Sequence, residues 1–266
     1  MTPNKQPSGV RIVFALAQVT FLDIIRDKVL YNSLFFGFLI FSLGLLASQF
    51  TAAHPEKMVL DLGLTGVSLS LSALAGLVGS ALLSREIERR TIYVILSRPL
   101  TRMHFILGKY LGLVSILFLN WIFLSLVYLG LLYAFQQGVS LFSSALGIAL
   151  CFGLLEALVV GSIALLFSTF TTSSLSVMFC LGIYLIGKNI SELQFALGKA
   201  EYFLQKILFK SMIVLIPHLE RFNLGSQVSY GMPVSASFVG LGILYSLAVI
   251  VFCLSLSGFI FKQREL

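Results

Sequence analysis

Apolar residues in this chain fall into long runs of about the length a bilayer requires. A helix crossing hydrocarbon needs about 20 mostly apolar residues. Six stretches qualify: 32–51, 62–84, 110–134, 144–167, 172–188 and 237–260. Lys and Arg enter these runs only at their ends, and polar or charged stretches separate them. The first 31 residues differ. Ile12 to Leu22 is apolar but is interrupted by Gln18 and Thr20, and charges follow at Asp23, Arg26, Asp27 and Lys28. That run is too short to span. Val10, Val13, Phe14, Ala17, Phe21 and Ile24 share one side at helical spacing, which predicts a helix lying in the membrane interface. Ala15-Leu16-Ala17 mimics a cleavage site, but only three apolar residues separate it from Arg11, so no signal cleavage is expected.

Between the fifth and sixth runs, residues 188–236 carry their own helical pattern. Leu193, Leu197, Ala200, Leu204, Ile207 and Leu208 recur at three-to-four spacing, with Glu192, Lys199, Gln205 and Lys206 opposite. One amphipathic helix is predicted from about Ser191 to Lys210. It runs into Met212–Ile216, and Pro217 breaks it. Five apolar residues cannot cross a bilayer, so this end either caps the helix tops or dips into the outer leaflet.

Composition agrees with a membrane protein. Apolar residues make up 58% of the chain and charged residues 11%, against roughly 25% charged in a soluble domain. A mean hydropathy of +0.99 excludes both an ordinary soluble globule and a disordered chain. Cys151, Cys180 and Cys253 are far apart in apolar runs without nearby histidines, which excludes a disulfide scaffold and makes a metal site unexpected. The distribution of Lys and Arg sets an orientation. Twelve of the 18 lie in residues 1–31, 85–109 and 261–266, and six lie in 52–61 and 188–236. Both termini and the 85–109 loop are therefore expected in the cytoplasm. The reading is an all-α integral membrane protein, a single domain over residues 1–266. It has six transmembrane helices, an amino-terminal interfacial helix (1–31), a cytoplasmic helical segment (85–109) and an external helical insertion (188–236).

Two apparent motifs carry no chemistry. Gly182–Asn189 nearly matches a phosphate-binding loop. However, Asn189 cannot replace the metal-binding hydroxyl, and the glycines sit in an apolar span instead of a strand-to-helix turn. His54, His104 and His218 are scattered over three polar segments, and no Ser/His/Asp or paired-acid constellation marks an enzyme.

The loop from Ser84 to Lys109 is more informative. It predicts a short helix from about Arg85 to Leu96, with Glu86 and Arg90 as an i,i+4 pair. Ile87, Thr91, Val94 and Ile95 form its less polar face. Pro99 stops the helix, and Thr101 is placed to cap the next one, which continues through Gly108-Lys109 into the third span. Any membrane protein has a solvated positive-inside loop, but helical order and an apolar face directed away from lipid lead to the expectation of a docking surface for a cytoplasmic protein.

Arg85-Glu86-Ile87-Glu88-Arg89-Arg90-Thr91, then Leu96-Ser97-Arg98-Pro99-Leu100-Thr101-Arg102, then Leu107-Gly108-Lys109-Tyr110 resembles the first cytoplasmic loop of type-two ATP-binding-cassette (ABC) permeases. Those proteins show an acidic-basic helix, a Thr, a Leu-Ser-x-Pro turn, a basic residue and then Gly-Lys. Arg90 departs from the pattern, since many members have Gly there. The interfacial helix, six spans and external insertion fit as well, and Pro217…Phe222-Asn223 resembles a segment common in the family.

The resemblance implies a permease subunit of an exporter in a bacterial or archaeal cytoplasmic membrane. It would pair with a second permease copy and with a separate ABC ATPase that holds ATP and Mg. This chain would carry no catalytic, cofactor or metal site of its own, and no nucleic-acid partner is expected. The implied ATPase-coupling residues are Arg85, Glu86, Glu88, Arg89, Arg90, Thr91, Ser97, Pro99 and Arg102. A second, smaller contact would be Ser168–Ser174, which otherwise reads as a tight polar helix connection.

Ser68, Ser72, Gly76 and Ser80, and likewise Gly153, Ala157 and Gly161, repeat every four residues. Such small-residue ridges mark close packing within one chain or at a dimer seam. Glu156 lies near the middle of the fourth run, where acids usually face a bundle interior or water. It is either a charge in the translocation cavity between two subunits or a protonated carboxyl bonded within one subunit. No Lys or Arg within a span is evident as its partner. The apolar, aromatic-bearing spans (Phe35, Phe36, Phe38, Trp121, Tyr128) lean toward amphiphilic or lipid-linked cargo. A secondary transporter and a membrane scaffold are the competing classes, although neither internal repeats nor a buried base supports the first.

Overall fold

The computed structural model describes residues 9–26, 35–39, 42, 55–88, 101–135, 144–199, 202–232 and 234–263. Its labelled helices are α1 (Gly9–Arg26), α2 (Pro55–Glu88), α3 (Arg102–Phe135), α4 (Ser144–Ser168), α5 (Ser173–Lys188), α6 (Ile190–Lys199), α7 (Phe203–Leu215), α8 (Gly225–Ser229) and α9 (Ala236–Gln263). A 3-10 turn at Leu219–Phe222 precedes α8. Among the described residues there is no strand.

Four helices, α2, α3, α4 and α9, are long and apolar enough to cross a membrane. The count becomes five if the bent pair α5–α6 is one broken span. The six predicted runs are thus matched only in part. Most of the first, 32–51, lies outside the described residues. Of that run, 35–39 is helical, and Gly37 sits against Phe123 and Leu124 of α3. The fifth run forms α5, whose 16 residues reach only about 24 Å at 1.5 Å per residue, short of a ~30 Å hydrocarbon core. By contrast, α2 and α3 have 34 residues each, about 51 Å, and extend beyond it.

Small residues decide how the helices meet. The most extensive interface joins α2 to α4. A Cβ on Gly79 would lie 2.9 Å from Ala164 Cβ and 3.1 Å from the Gly161 carbonyl oxygen, and Gly153 faces the Cα of Ser68 at 3.7 Å. The two small-residue ridges thus meet within one chain at Ser68 and Gly153, whereas Gly76 faces Cys180 of α5. Of the four long apolar helices, α4 is the most enclosed and α9 the most peripheral, 67% and 22% buried along their most apolar stretches. Buried aromatics tie the bundle together through their polar tips. Trp121 donates to the Leu150 carbonyl at 2.8 Å, Tyr128 to Leu60 at 3.0 Å and Tyr110 to Leu158 at 3.1 Å.

Of the predicted amino-terminal segment, residues 9–26 form α1, which is laid lengthwise along α3. Leu16 and Val13 meet Gly108, and one turn on Thr20 and Ala17 meet Gly112. Each turn gained in α1 is a turn gained in α3, so the two run parallel. Leu16, Thr20 and Ile24 form the packed side, whereas Phe14, Val19 and Leu22 are exposed. The expected face including Phe14 is therefore displaced by part of a turn, because the glycines accept Leu16 and Thr20.

Two further expectations are corrected. No separate helix starts at Arg85. Residues 85–88 continue α2 without a break, and 89–100 lie outside the described residues. The single amphipathic helix of 191–210 is two helices, α6 and α7, with Tyr202 extended between them. Gly198, which weakens a helix by about 1 kcal/mol relative to Ala, stands near the end of α6. As predicted, α7 ends just before Pro217.

Candidate functional site

The basic end of the bundle is built first from the ends of α2, α3 and α9. Lys109 of α3 is almost fully buried and forms an ion pair with Glu86 in the last turn of α2. Its ammonium also lies 5.8 Å from the Phe105 ring centre. The expected partner of Glu86, Arg90, lies outside the described residues; among those described, Glu86 reaches across to Lys109 on the next helix. Thr101 caps α3 as its sequence position predicts, its hydroxyl accepting from the His104 N–H at 3.4 Å. Arg102 spans to α9. Its guanidinium donates to the Phe261 and Lys262 carbonyls at 2.5 and 3.1 Å and sits 5.7 Å from the Phe261 ring centre.

The turn between α4 and α5 joins the same end. Glu88, exposed at the tip of α2, accepts from the Ser173 N–H at 3.4 Å, and an acid beside a helix N-terminus is favourably placed. Ser168, Thr169 and Thr171 donate their hydroxyls to the carbonyls of Leu165, Leu166 and Phe167. These hydroxyls satisfy the orphan carbonyls at the end of α4. Phe170, Thr172, Ser174 and Leu175 remain exposed. Of the nine expected coupling residues, the fold gathers Glu86, Glu88 and Arg102 here, with Arg85 exposed on the same final turn of α2. Arg89, Arg90, Thr91, Ser97 and Pro99 lie outside the described residues.

A second polar site lies inside the bundle. Glu156 of α4 is completely enclosed. Ser68 of α2 donates to its carboxylate at 2.6 Å, and the Lys188 ammonium, at the end of α5, lies 2.9 Å from it. The Tyr184 hydroxyl faces Glu156 and Ser72, and Lys188 sits 6.0 Å from the Tyr184 ring centre. Helix lengths explain the meeting. Counted from the α4–α5 turn, Glu156 stands about 18 Å up and Lys188 about 22 Å up at 1.5 Å per residue. The flexible lysine stem reaches back one turn while its charge stays partly exposed.

This arrangement corrects the expectation that Glu156 has no basic partner. Within this single chain the Glu156 side chain is fully enclosed, and its expected role in a cavity between two subunits stays a proposal. One hydrogen bond away, Ser68 lines a narrow cleft with Leu64, Gly153, Phe222, Asn223 and Gly225. Close by in sequence, burial and then Arg221 hold His218 below the ordinary imidazole range. The near-match to a phosphate-binding loop is plain helix: Gly182 and Gly187 lie within α5, and Gly187 packs on the Pro217 carbonyl.

Among the described residues no group of acids, histidines and cysteines could hold a metal ion. Chemically, the basic end offers an exposed acid, a phenylalanine and hydroxyl-bearing residues on a braced platform. The interior offers a neutralised charge pair. The sequence carried no signal for the Glu156–Lys188 pair beyond the acid itself. Comparison with protein families finds that the ABC-2 family transporter protein model matches residues 14–266. Comparison with curated proteins finds no match.

Proposed function

The chain belongs to the ABC-2 family of transporter proteins, a multi-pass membrane protein, and from that membership we propose that it is the permease subunit of an ABC exporter. A separate ATPase, holding ATP and Mg, docks at the basic end of the bundle, and a second permease copy completes the pathway. The observation that carries this reading is the family match over nearly the whole chain.

The arrangement of the helix ends supports it. Glu88, Phe170 and Ser174 are exposed on one end that the Glu86–Lys109 pair and the Arg102 bonds brace against the bundle. A braced platform transmits a push from below to several helices at once. The excess of Lys and Arg on this end's segments supports a cytoplasmic placement of the platform and of both termini, in a bacterial or archaeal cytoplasmic membrane. The remaining coupling residues, Arg89, Arg90, Thr91, Ser97 and Pro99, belong to the same loop and complete the docking segment. Glu156 enters as the buried half of a charge pair beside the cleft, shaping that cleft instead of touching cargo.

Cysteine cross-linking in native membranes tests the reading. Cysteines at positions 88 and 174 should cross-link to an ABC ATPase, and one at position 206 should not. Cross-links at 206 with none at 88 or 174 would overturn it. One observation favours a different reading, a secondary transporter: a charged pair inside a membrane bundle is a frequent mark of ion pathways. That reading requires uptake or efflux driven by an ion gradient in the absence of any ATPase.

A further inference from the structure

We propose that α7 is a membrane-surface helix, seated in the headgroup boundary of the leaflet at the Lys188 end and holding anionic phospholipid through Lys206 and Lys210. At about 100° per residue, Ile207, Val214, Ser211, Leu204, Leu215, Leu208 and Met212 fall within an arc of roughly 160°. All of them are exposed, Val214 and Leu215 to 80% and 86%. The opposite side carries the half-buried Phe209 and Ile213, and the extensive contact of α7 is with α6. Lys206 and Lys210 are exposed and lie along one edge of the apolar arc.

Three features commit the occupant to lipid. The apolar arc is far too large to face water. It is bordered on one side by cations, the pattern of helices that lie in an interface with anionic headgroups. The α5–α6 bend of 70° turns the chain away from the spanning direction where α5 runs out of length, which delivers α7 to the level of the boundary. A cap facing solvent would need its polar side outward. Here the outward side is the apolar one. The proposal rests on the chain spanning a membrane and not on the identity of any ATPase.

The test uses the full chain with Cys151→Ser and Leu215→Cys, labelled with an environment-sensitive fluorophore. Cys180 and Cys253 are buried and should not label. The chain is placed in nanodiscs of phosphatidylcholine, with or without phosphatidylglycerol. The expected result is blue-shifted emission, quenched by brominated acyl chains, with quenching that deepens when phosphatidylglycerol is present. Lys206→Gln with Lys210→Gln should abolish the deepening and leave the quenching in pure phosphatidylcholine. Water-like emission without quenching would overturn the proposal in favour of a solvent-facing cap. Blue-shifted emission without bromolipid quenching, together with 215–215 cross-links between copies, would overturn it in favour of a second chain. Quenching indifferent to phosphatidylglycerol and to the two lysines would overturn the anionic-lipid assignment.

Discussion

Replacing Glu156 with Gln leaves the Lys188 ammonium beside a neutral amide, and leaves Ser68 with a weaker acceptor. Removing one member of a buried pair is usually worse than removing both, because the survivor is a charge without a partner. Glu156→Gln and Lys188→Gln should each lower the melting temperature in detergent. The double variant should recover part of the loss, with a coupling of about 0.5–3 kcal/mol. Strict additivity would show that the two side chains do not sense each other. Lys188 is 18% exposed and can withdraw toward the helix end, so Glu156→Gln should be the milder of the acid's substitutions and Glu156→Leu the harsher. The sequence displays Glu156 plainly as an acid in an apolar run. It does not display Lys188 as the partner, because the pairing depends on the short length of α5 and on a shared turn 32 residues of chain apart.

At the level of helices, glycines determine which elements can touch. A Cβ at Gly112 would fall 2.6 Å from Thr20 Cβ and 3.0 Å from the Ala17 carbonyl oxygen, and neither atom is the loose end of a flexible side chain. Gly112→Val should therefore lift α1 from α3. The change would be measured as gained thiol labelling of Ile24→Cys, a position buried in the packed arrangement. Gly130→Val is the control, since no described residue lies within 4 Å of that position, and it should change stability by no more than about 0.5 kcal/mol. Gly79→Val should destabilise the bundle more than either, because it separates α2 from α4, the most extensive interface of the fold. These contacts also show what a one-dimensional pattern can and cannot reveal. Twenty apolar residues in a row are visible without any partner, so α2, α3, α4 and α9 were legible in the sequence. Gly108 could be read only as half of a Gly-Lys pair until α1 was seen resting on it. The break at Tyr202 escaped the reading because the heptad-like spacing of Leu197, Ala200 and Leu204 continues straight across it.

For the whole molecule, the proposed function makes the basic end a platform that receives force and the bundle the part that moves. The structure separates two acids that the sequence presents as equivalent. Glu86 is paired with Lys109, so Glu86→Lys places two cations together and should lower thermal stability before it affects any docking. Glu88 is exposed, and Glu88→Lys, alone or with Phe170→Asp, should leave the fold intact and reduce association with the ATPase. A fall in stability equal to that of Glu86→Lys would contradict the division of roles. The central claim is the partner itself. It is tested most directly by purifying the tagged chain from its native membrane in mild detergent and quantifying what comes with it by mass spectrometry. The account predicts an ABC ATPase in about equal amount to the permease, retained in wild type and depleted by Glu88→Lys with Phe170→Asp. A pure, folded and monodisperse permease with no ATPase at all would contradict it.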